Sequence, residues 1–172
     1  SSGSPYINNL FNNKYKFNSI FTMAPCGQSG ATANITKYID IPVFVLTGTM
    51  DCVCPSEEAE RLFNGVPDGI CKFLGDVTNA THCHWAQLPI EKEVVCTKGE
   101  YDLCEVLHPN NDNITFISER DQLEIGSEYM QIFLNATIVD NDNEQDFEGI
   151  SQKLNNDKSD GIMTKIEVSK GC

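Results

Sequence analysis

A chain of 172 residues, 40% hydrophobic, falls in the size range of one domain and carries enough apolar side chains for a core, which excludes a disordered chain. Its 12 basic and 25 acidic side chains leave a net charge of −13, which repels polyphosphates and acidic lipid surfaces and excludes nucleic acid as a partner. No stretch approaches the roughly 18 uninterrupted apolar residues of a transmembrane segment, and no basic, apolar leader opens the chain, so any secretion signal is expected outside it.

Along the chain, Ser4-Pro5 ahead of Tyr6, Ile7, Leu10 and Phe11 spaces apolar groups at helical intervals and predicts a short helix. Residues 17–24 (FNSIFTMA) are rich in β-formers and stop at Pro25-Cys26-Gly27, the pattern of a strand ending in a loop. Residues 41–48 (IPVFVLTG) are a continuous rather than alternating apolar run, which suits a central strand of a parallel sheet covered on both faces. Pro55-Ser56-Glu57-Glu58 opens a helix, with Ser56 as capping hydroxyl and the acids at the positive end, and Asn64-Gly65 closes it. Residues 71–77 form a shorter strand, and a helix is expected from Gln87 to about Val95. From Cys96 to about Ser118 the hydrophobic period lapses and Pro109 to Asn113 marks an exposed excursion, so 96–118 reads as a surface insertion. Helical spacing returns over 125–138 through Tyr129, Ile132, Phe133 and Ala136, and 140–172 reads as an acidic extension poor in apolar groups. No period repeats, which removes solenoids and propellers. Strands alternating with helices predict an α/β fold with a mostly parallel sheet and flanking helices.

Eight cysteines and four acceptor sequons, at Asn34, Asn79, Asn113 and Asn135, point to the secretory pathway, with N-linked glycans and disulfide bonds.

In open parallel sheets, reactive side chains gather in loops past the carboxyl ends of strands. That rule selects Asp51, after the strand ending at Gly48, and His82, after the strand ending near Val77. Acid then histidine is the chain order of an α/β-hydrolase triad, in which the acid orients the imidazole. Each residue has a plainer role open to it: Asp51 can cap the helix at Pro55, and His84 is a rival base. Cys52, Cys54, His82, Cys83 and His84 also converge like a zinc site, although neighbouring cysteines close disulfides under oxidising conditions and no metal or cofactor is expected. Asp140, Asp142, Glu144 and Asp146 imitate a calcium loop but lack its sixth-position glycine and twelfth-position glutamate.

The stretch P-V-F-V-L-T-G-T-M-D51-C-V-C-P resembles the strand, turn and acid of α/β hydrolases of the dienelactone-hydrolase and cutinase-like polyesterase type. N-A-T-H82 resembles the loop that supplies their catalytic histidine, and Y-M-Q-I-F-L-N-A-T-I-V-D-N-D resembles their closing helix. The similarity spans roughly residues 15–95 and 125–148. It implies an α/β-hydrolase fold of which residues 1–172 hold the carboxyl-terminal part, with the amino-terminal half of the same domain as a missing partner. It also places the base at His82 and leaves His84 lining the pocket or touching Trp85, itself a packing residue or a specificity wall. No complete G-x-S-x-G elbow occurs, yet Ser1-Ser2-Gly3 matches its second half, sixteen residues before Phe17. The resemblance thus makes Ser1 the nucleophile and the Ser2 amide an oxyanion donor, while Ser1-Ser2-Gly3-Ser4 also reads as a linker. Ser29, in Gly27-Gln28-Ser29-Gly30, is a competing serine after the wrong strand.

For the disulfides, Cys26, Cys52, Cys54 and Cys83 all leave strands at one edge and are expected to form two bridges among themselves. Cys96 is expected to pair with Cys104 across a short loop, and Cys71 with Cys172. The function expected from these signs is a secreted serine hydrolase acting on small or polymeric carboxylic esters by acyl transfer. The alternative is a catalytically inactive hydrolase-like domain serving as an interaction module of an extracellular glycoprotein. A third idea, Ser1 as an N-terminal nucleophile with its own amine as base, needs neither Asp51 nor His82.

Overall fold

The computed structural model describes residues 17–26, 35–86, 90–109, 114–138, 147–170 and 172. Four strands, β1 (Ile20–Met23), β2 (Val43–Gly48), β3 (Lys72–Val77) and β4 (Met163–Val168), lie in the order β1-β2-β3-β4. The first three run parallel, with Ile20 opposite Val43 and Val43 opposite Lys72, and β4 returns antiparallel with Val168 opposite Phe73. The helices are α1 (Ser56–Gly65), α2 (Ile90–Leu107), α3 (Glu119–Ile138) and α4 (Glu148–Ser159), with a 3-10 turn at Cys83–Trp85.

The continuous apolar run of β2 is explained by cover on both sides, and all six of its residues are buried. On one face Val43, Val45 and Leu74 meet Ala59 and Phe63 of α1. On the other, Phe44, Leu46 and Phe73 meet Tyr129 and Phe133 of α3 and Ile150 and Leu154 of α4. Phe44 is the hub of that second layer, with ring centroids 5.2 Å from Phe21, 5.6 Å from Phe73, 5.4 Å from Tyr129 and 5.7 Å from Phe133. Aromatic pairs at such distances contribute about 0.5–1.5 kcal/mol each beyond the area they bury.

Several predicted elements change at their edges or in kind. β1 covers only the centre of the predicted run, and Phe17 is exposed. The helix that was expected to stop near Val95 continues to Leu107, so the first half of the predicted insertion is regular helix. Among its described side chains the buried ones are Cys104 and Glu100 rather than aliphatic residues, while Val95, Val106 and Leu107 are exposed, which weakens the amphipathic signal. Residues 140–172 were expected to be an acidic extension, but α4 and β4 belong to the sheet layers: Ile150, Leu154 and Met163 are core residues, and β4 extends the sheet. The helix predicted at residues 4–11 lies outside the described residues.

Every cysteine is paired, in the bridges Cys26–Cys54, Cys52–Cys104, Cys71–Cys172 and Cys83–Cys96. The expected Cys71–Cys172 bridge forms, but Cys96 does not pair with Cys104, and only one bridge joins two of the four edge cysteines. Residues eight apart on a helix are separated by about 12 Å along its axis, beyond the reach of a disulfide. No helix among the described residues is long and apolar enough to cross a membrane.

Two charges are buried in the sheet. Lys72 at the start of β3 donates to the carbonyls of Phe63 (3.1 Å) and Val66 (2.6 Å), so the ammonium neutralises the negative end of α1. Asp76, near the end of β3, accepts from the Ser56 hydroxyl at 3.2 Å. Ser56 is therefore turned toward the sheet and makes no capping bond to its own helix, contrary to its predicted role. Burial pushes the Asp76 carboxyl up to about 6, the Ser56 bond opposes this, and Glu60 adds to it. A folded pKa above the unfolded value stabilises the fold at acid pH, and that stability is lost as pH rises from about 4 through about 6. Asp76→Asn is accordingly expected to remove this pH dependence and to be more stable than the parent at pH 7.5 by about 1–3 kcal/mol. Urea unfolding of both proteins at pH 4 and pH 7.5 checks it, and an Asn variant no more stable at the higher pH contradicts it.

Candidate active site

β2 and β3 run in the same direction side by side, so the loops that follow them emerge at one edge of the sheet. The two loops are bonded to each other along their length. Thr49 N–H donates to Val77 O (3.0 Å), Met50 N–H donates to Ala80 O (3.0 Å), and Asn79 N–H donates to the Thr49 hydroxyl (2.8 Å). Asn79 turns the second loop with a left-handed φ of 57°, a conformation asparagine tolerates better than most residues. Gly48 permits the approach: a Cβ there would lie 2.2 Å from Ala80 O, so any side chain would push the loops apart.

This contact brings Asp51 and His82 together. Asp51 is buried, and its two oxygens have separate tasks: Oδ1 accepts Cys54 N–H at 2.6 Å, and Oδ2 lies 3.1 Å from His82 Nδ1. A carboxylate can only accept, so Nδ1 carries the proton and the lone pair is left at Nε2. The His82 side chain remains 32% exposed, whereas that of Asp51 is fully enclosed. The hydrogen bond that His82 donates to Asp51 is the main cause that raises the His82 pKa above 6.5; burial opposes it, and the charges of Asp51 and Glu100 add to the rise.

Two side chains that the sequence reading did not single out hold the histidine loop. Gln122 of α3, fully buried, makes a reciprocal pair with Thr81: Thr81 N–H donates to Oε1 at 2.9 Å, and Nε2 donates to Thr81 O at 2.7 Å. Glu100 of α2 accepts His82 N–H at 2.6 Å and Cys83 N–H at 3.1 Å. Cys96, Glu100 and Cys104 stand four residues apart, one face of a helix, and this spacing is the signal that could have found Glu100. The two cysteines on that face are bridged to Cys83 in the histidine loop and Cys52 in the acid loop. Cys26–Cys54 completes the set by tying the end of β1 to the acid loop. Three of the four bridges thus brace the Asp51–His82 pair.

The remaining candidates fall as follows. His84 is buried, with Nδ1 3.1 Å from Ile117 O, Nε2 3.3 Å from the Thr97 hydroxyl, and its ring edge-on to Phe116. Both of its ring nitrogens are thus engaged by groups other than Asp51. Trp85 belongs to the hydrophobic core, packed where Gly126 of α3 leaves room for its ring. The Cys26 and Cys54 sulfurs and a His82 ring nitrogen lie within 4.8 Å of one another, the spacing of a metal site. The two sulfurs are bonded to each other, however, and so offer no thiolate. Of the sequons, Asn135 is exposed on α3, and Asn79 is half-buried beside the fully buried Thr81. Ser1, Ser2, Ser29, Asn34, Asn113 and the acidic run Asp140–Asp146 lie outside the described residues. No protein-family model matches the chain, and no curated protein matches its sequence.

Two outcomes follow from this geometry. Titrated by NMR, with the three histidines assigned by substitution, His82 should show a midpoint above 6.5 that falls in Asp51→Asn, and an unmoved midpoint contradicts the pairing. Because the folded ring holds its proton more tightly than the unfolded chain, the stability from this pair is present below about pH 6.5 and lost as pH rises through the folded midpoint. Gly48→Ala should destabilise the protein by about 1–3 kcal/mol through the clash with Ala80, measurable as a lower urea midpoint.

Proposed function

We propose that this chain carries the acid and the base of a Ser-His-Asp triad that hydrolyses carboxylic esters by acyl transfer, within an α/β-hydrolase fold. The observation that carries the reading is the 3.1 Å contact between Asp51 Oδ2 and His82 Nδ1 at the ends of adjacent parallel strands. The acid is enclosed and the ring is partly open to solvent. An orienting acid behind a base whose second nitrogen has no hydrogen-bond partner among the described residues is the arrangement acyl transfer requires.

In this reading His82 Nε2 takes the proton of a serine hydroxyl as the serine oxygen bonds to the ester carbonyl carbon. Asp51 keeps the ring in the Nδ1–H form and stabilises the imidazolium that results. The proton then passes to the departing alkoxide as the carbon–oxygen bond of the ester breaks, and water deacylates the serine by the same steps in reverse. Ser1 is the candidate nucleophile and the Ser2 amide a candidate oxyanion donor, on the strength of their elbow-like residues and the sixteen residues that separate Ser1 from Phe17. Substrates in this proposal are small or polymeric carboxylic esters, and no step calls for a cofactor. The proposed setting is the secretory pathway or the extracellular space, supported by four disulfides around one sheet.

Hydrolysis of p-nitrophenyl esters by the full-length protein tests the proposal. His82→Ala and Asp51→Asn should each lower kcat by about 10³–10⁴ with the circular dichroism spectrum preserved. Unchanged rates in both variants would sink the triad. Absence of hydrolysis in the parent protein itself would favour the non-catalytic interaction module.

A further inference from the structure

Glu100 is a carboxylate in the protein interior, 1% exposed, and it lies in α2 on the face turned toward the Asp51–His82 pair. Among the described residues no lysine or arginine forms an ion pair with it. Its two oxygens are occupied instead by the N–H groups of His82 (2.6 Å) and Cys83 (3.1 Å). These are N–H groups at the start of the 3-10 turn, which no preceding turn can satisfy. Burying a carboxylate is costly unless its acceptor sites are filled, so two converging amides are close to the minimum that makes Glu100 tolerable here. The side chain has little freedom to move. Its helix is covalently tied four residues before it to the histidine loop, through Cys96–Cys83, and four residues after it to the acid loop, through Cys104–Cys52.

We propose that Glu100 is a positioning residue for His82: its carboxylate fixes the main chain of the histidine turn so that the ring meets Asp51, and its negative charge stabilises the protonated ring. The inference deepens the reading of His82 as a general base and rests on it for its kinetic consequence, but not for its structural one. A hydrogen-bonding side chain without charge would be a poorer clamp. Glutamine offers one acceptor oxygen, and its amide would face the second N–H donor to donor. Among the described residues, the titratable groups that face His82 are Asp51, from the loop after β2, and Glu100, from α2; both charges hold the imidazole above its ordinary value, after the larger effect of the Asp51 hydrogen bond. His84 on the same turn bonds to Ile117 and Thr97, and α3 contributes the neutral Gln122 through Thr81. Glu100 itself is held above its usual 4.5, chiefly by burial, with the two amides opposing the rise.

The test is Glu100→Gln in the full chain, with two readouts. By NMR, the His82 midpoint should fall by about 0.5 unit or more once the charge is gone. With an ester substrate, kcat should fall about tenfold with KM little changed, and the acid limb of the kcat/KM profile should move to lower pH together with the midpoint. A residue that merely supported the fold would lower the melting temperature and leave the His82 midpoint in place, and that result overturns the proposal. If Glu100→Gln does not fold, the unaltered protein decides: on the acid side of the His82 ring's own titration, the His82 and Cys83 amide resonances should show a second, shared step with a midpoint above 4.5, and amides without that shared acid-side step refute the clamp. A midpoint that falls in a protein without esterase activity removes the acyl-transfer reading and keeps the positioning role. An active esterase whose midpoint does not move in Glu100→Gln does the reverse.

Discussion

The structure turns on the close approach of Gly48 to Ala80. β2 and β3 are parallel neighbours, so their loops leave the same edge, but adjacency alone does not bring an acid on one loop into contact with a histidine on the other. The missing Cβ at position 48 lets the second loop fold over the end of β2, and the hydrogen bonds from Met50 and Thr49 lock it there. The Asp51 carboxylate is thereby fully enclosed and still reaches His82 Nδ1 at 3.1 Å.

A contact of this kind has to be held, because loops at a sheet edge are the segments most ready to open. α2 and α3 supply the restraint from different directions. Gln122 of α3 satisfies both the N–H and the C=O of Thr81, and Glu100 of α2 takes the next two N–H groups, so three consecutive main-chain donors from Thr81 to Cys83 are held by buried side chains. The bridges Cys52–Cys104 and Cys83–Cys96 convert α2 into a splint across both loops. Disulfides are often read as compensation for a small core. Here the core is well formed around Phe44, and three of the four bridges are concentrated where the polar chemistry sits.

The interior also carries more ionisable groups than a sheet needs for stability. Asp51, His82 and Glu100 form a cluster in which each carboxylate has its oxygens filled by N–H donors, and the one imidazole is shared between their charges. Removing any member leaves a buried acceptor or donor without a partner, so the cluster behaves as a unit. Asp76 is the contrast: it too is buried, but one of its oxygens has no partner among the described residues. Its charge weakens the fold at neutral pH, and it takes no part in the Asp51–His82 cluster.

What the sequence determined by itself was the α/β alternation, the central strand, and the two loops that bear Asp51 and His82, because each is encoded locally: a continuous β-branched run, a helix opened by proline and acids, and reactive residues just past strand ends. Chain order and strand adjacency were enough to pair an acid with a histidine. The tertiary structure decided the rest. α2 could not be read from periodicity, since among its described side chains Cys96, Glu100 and Cys104 face inward and several aliphatic residues face solvent. Cysteine pairing followed helix geometry rather than loop length. The stretch after residue 146 looked too polar for the core, yet Ile150, Leu154 and Met163 are enough to seat α4 and β4 on an aromatic layer contributed by distant strands. Local pattern specifies an element; which groups face one another across the core depends on packing, and that is where Glu100 and Gln122 acquire their roles.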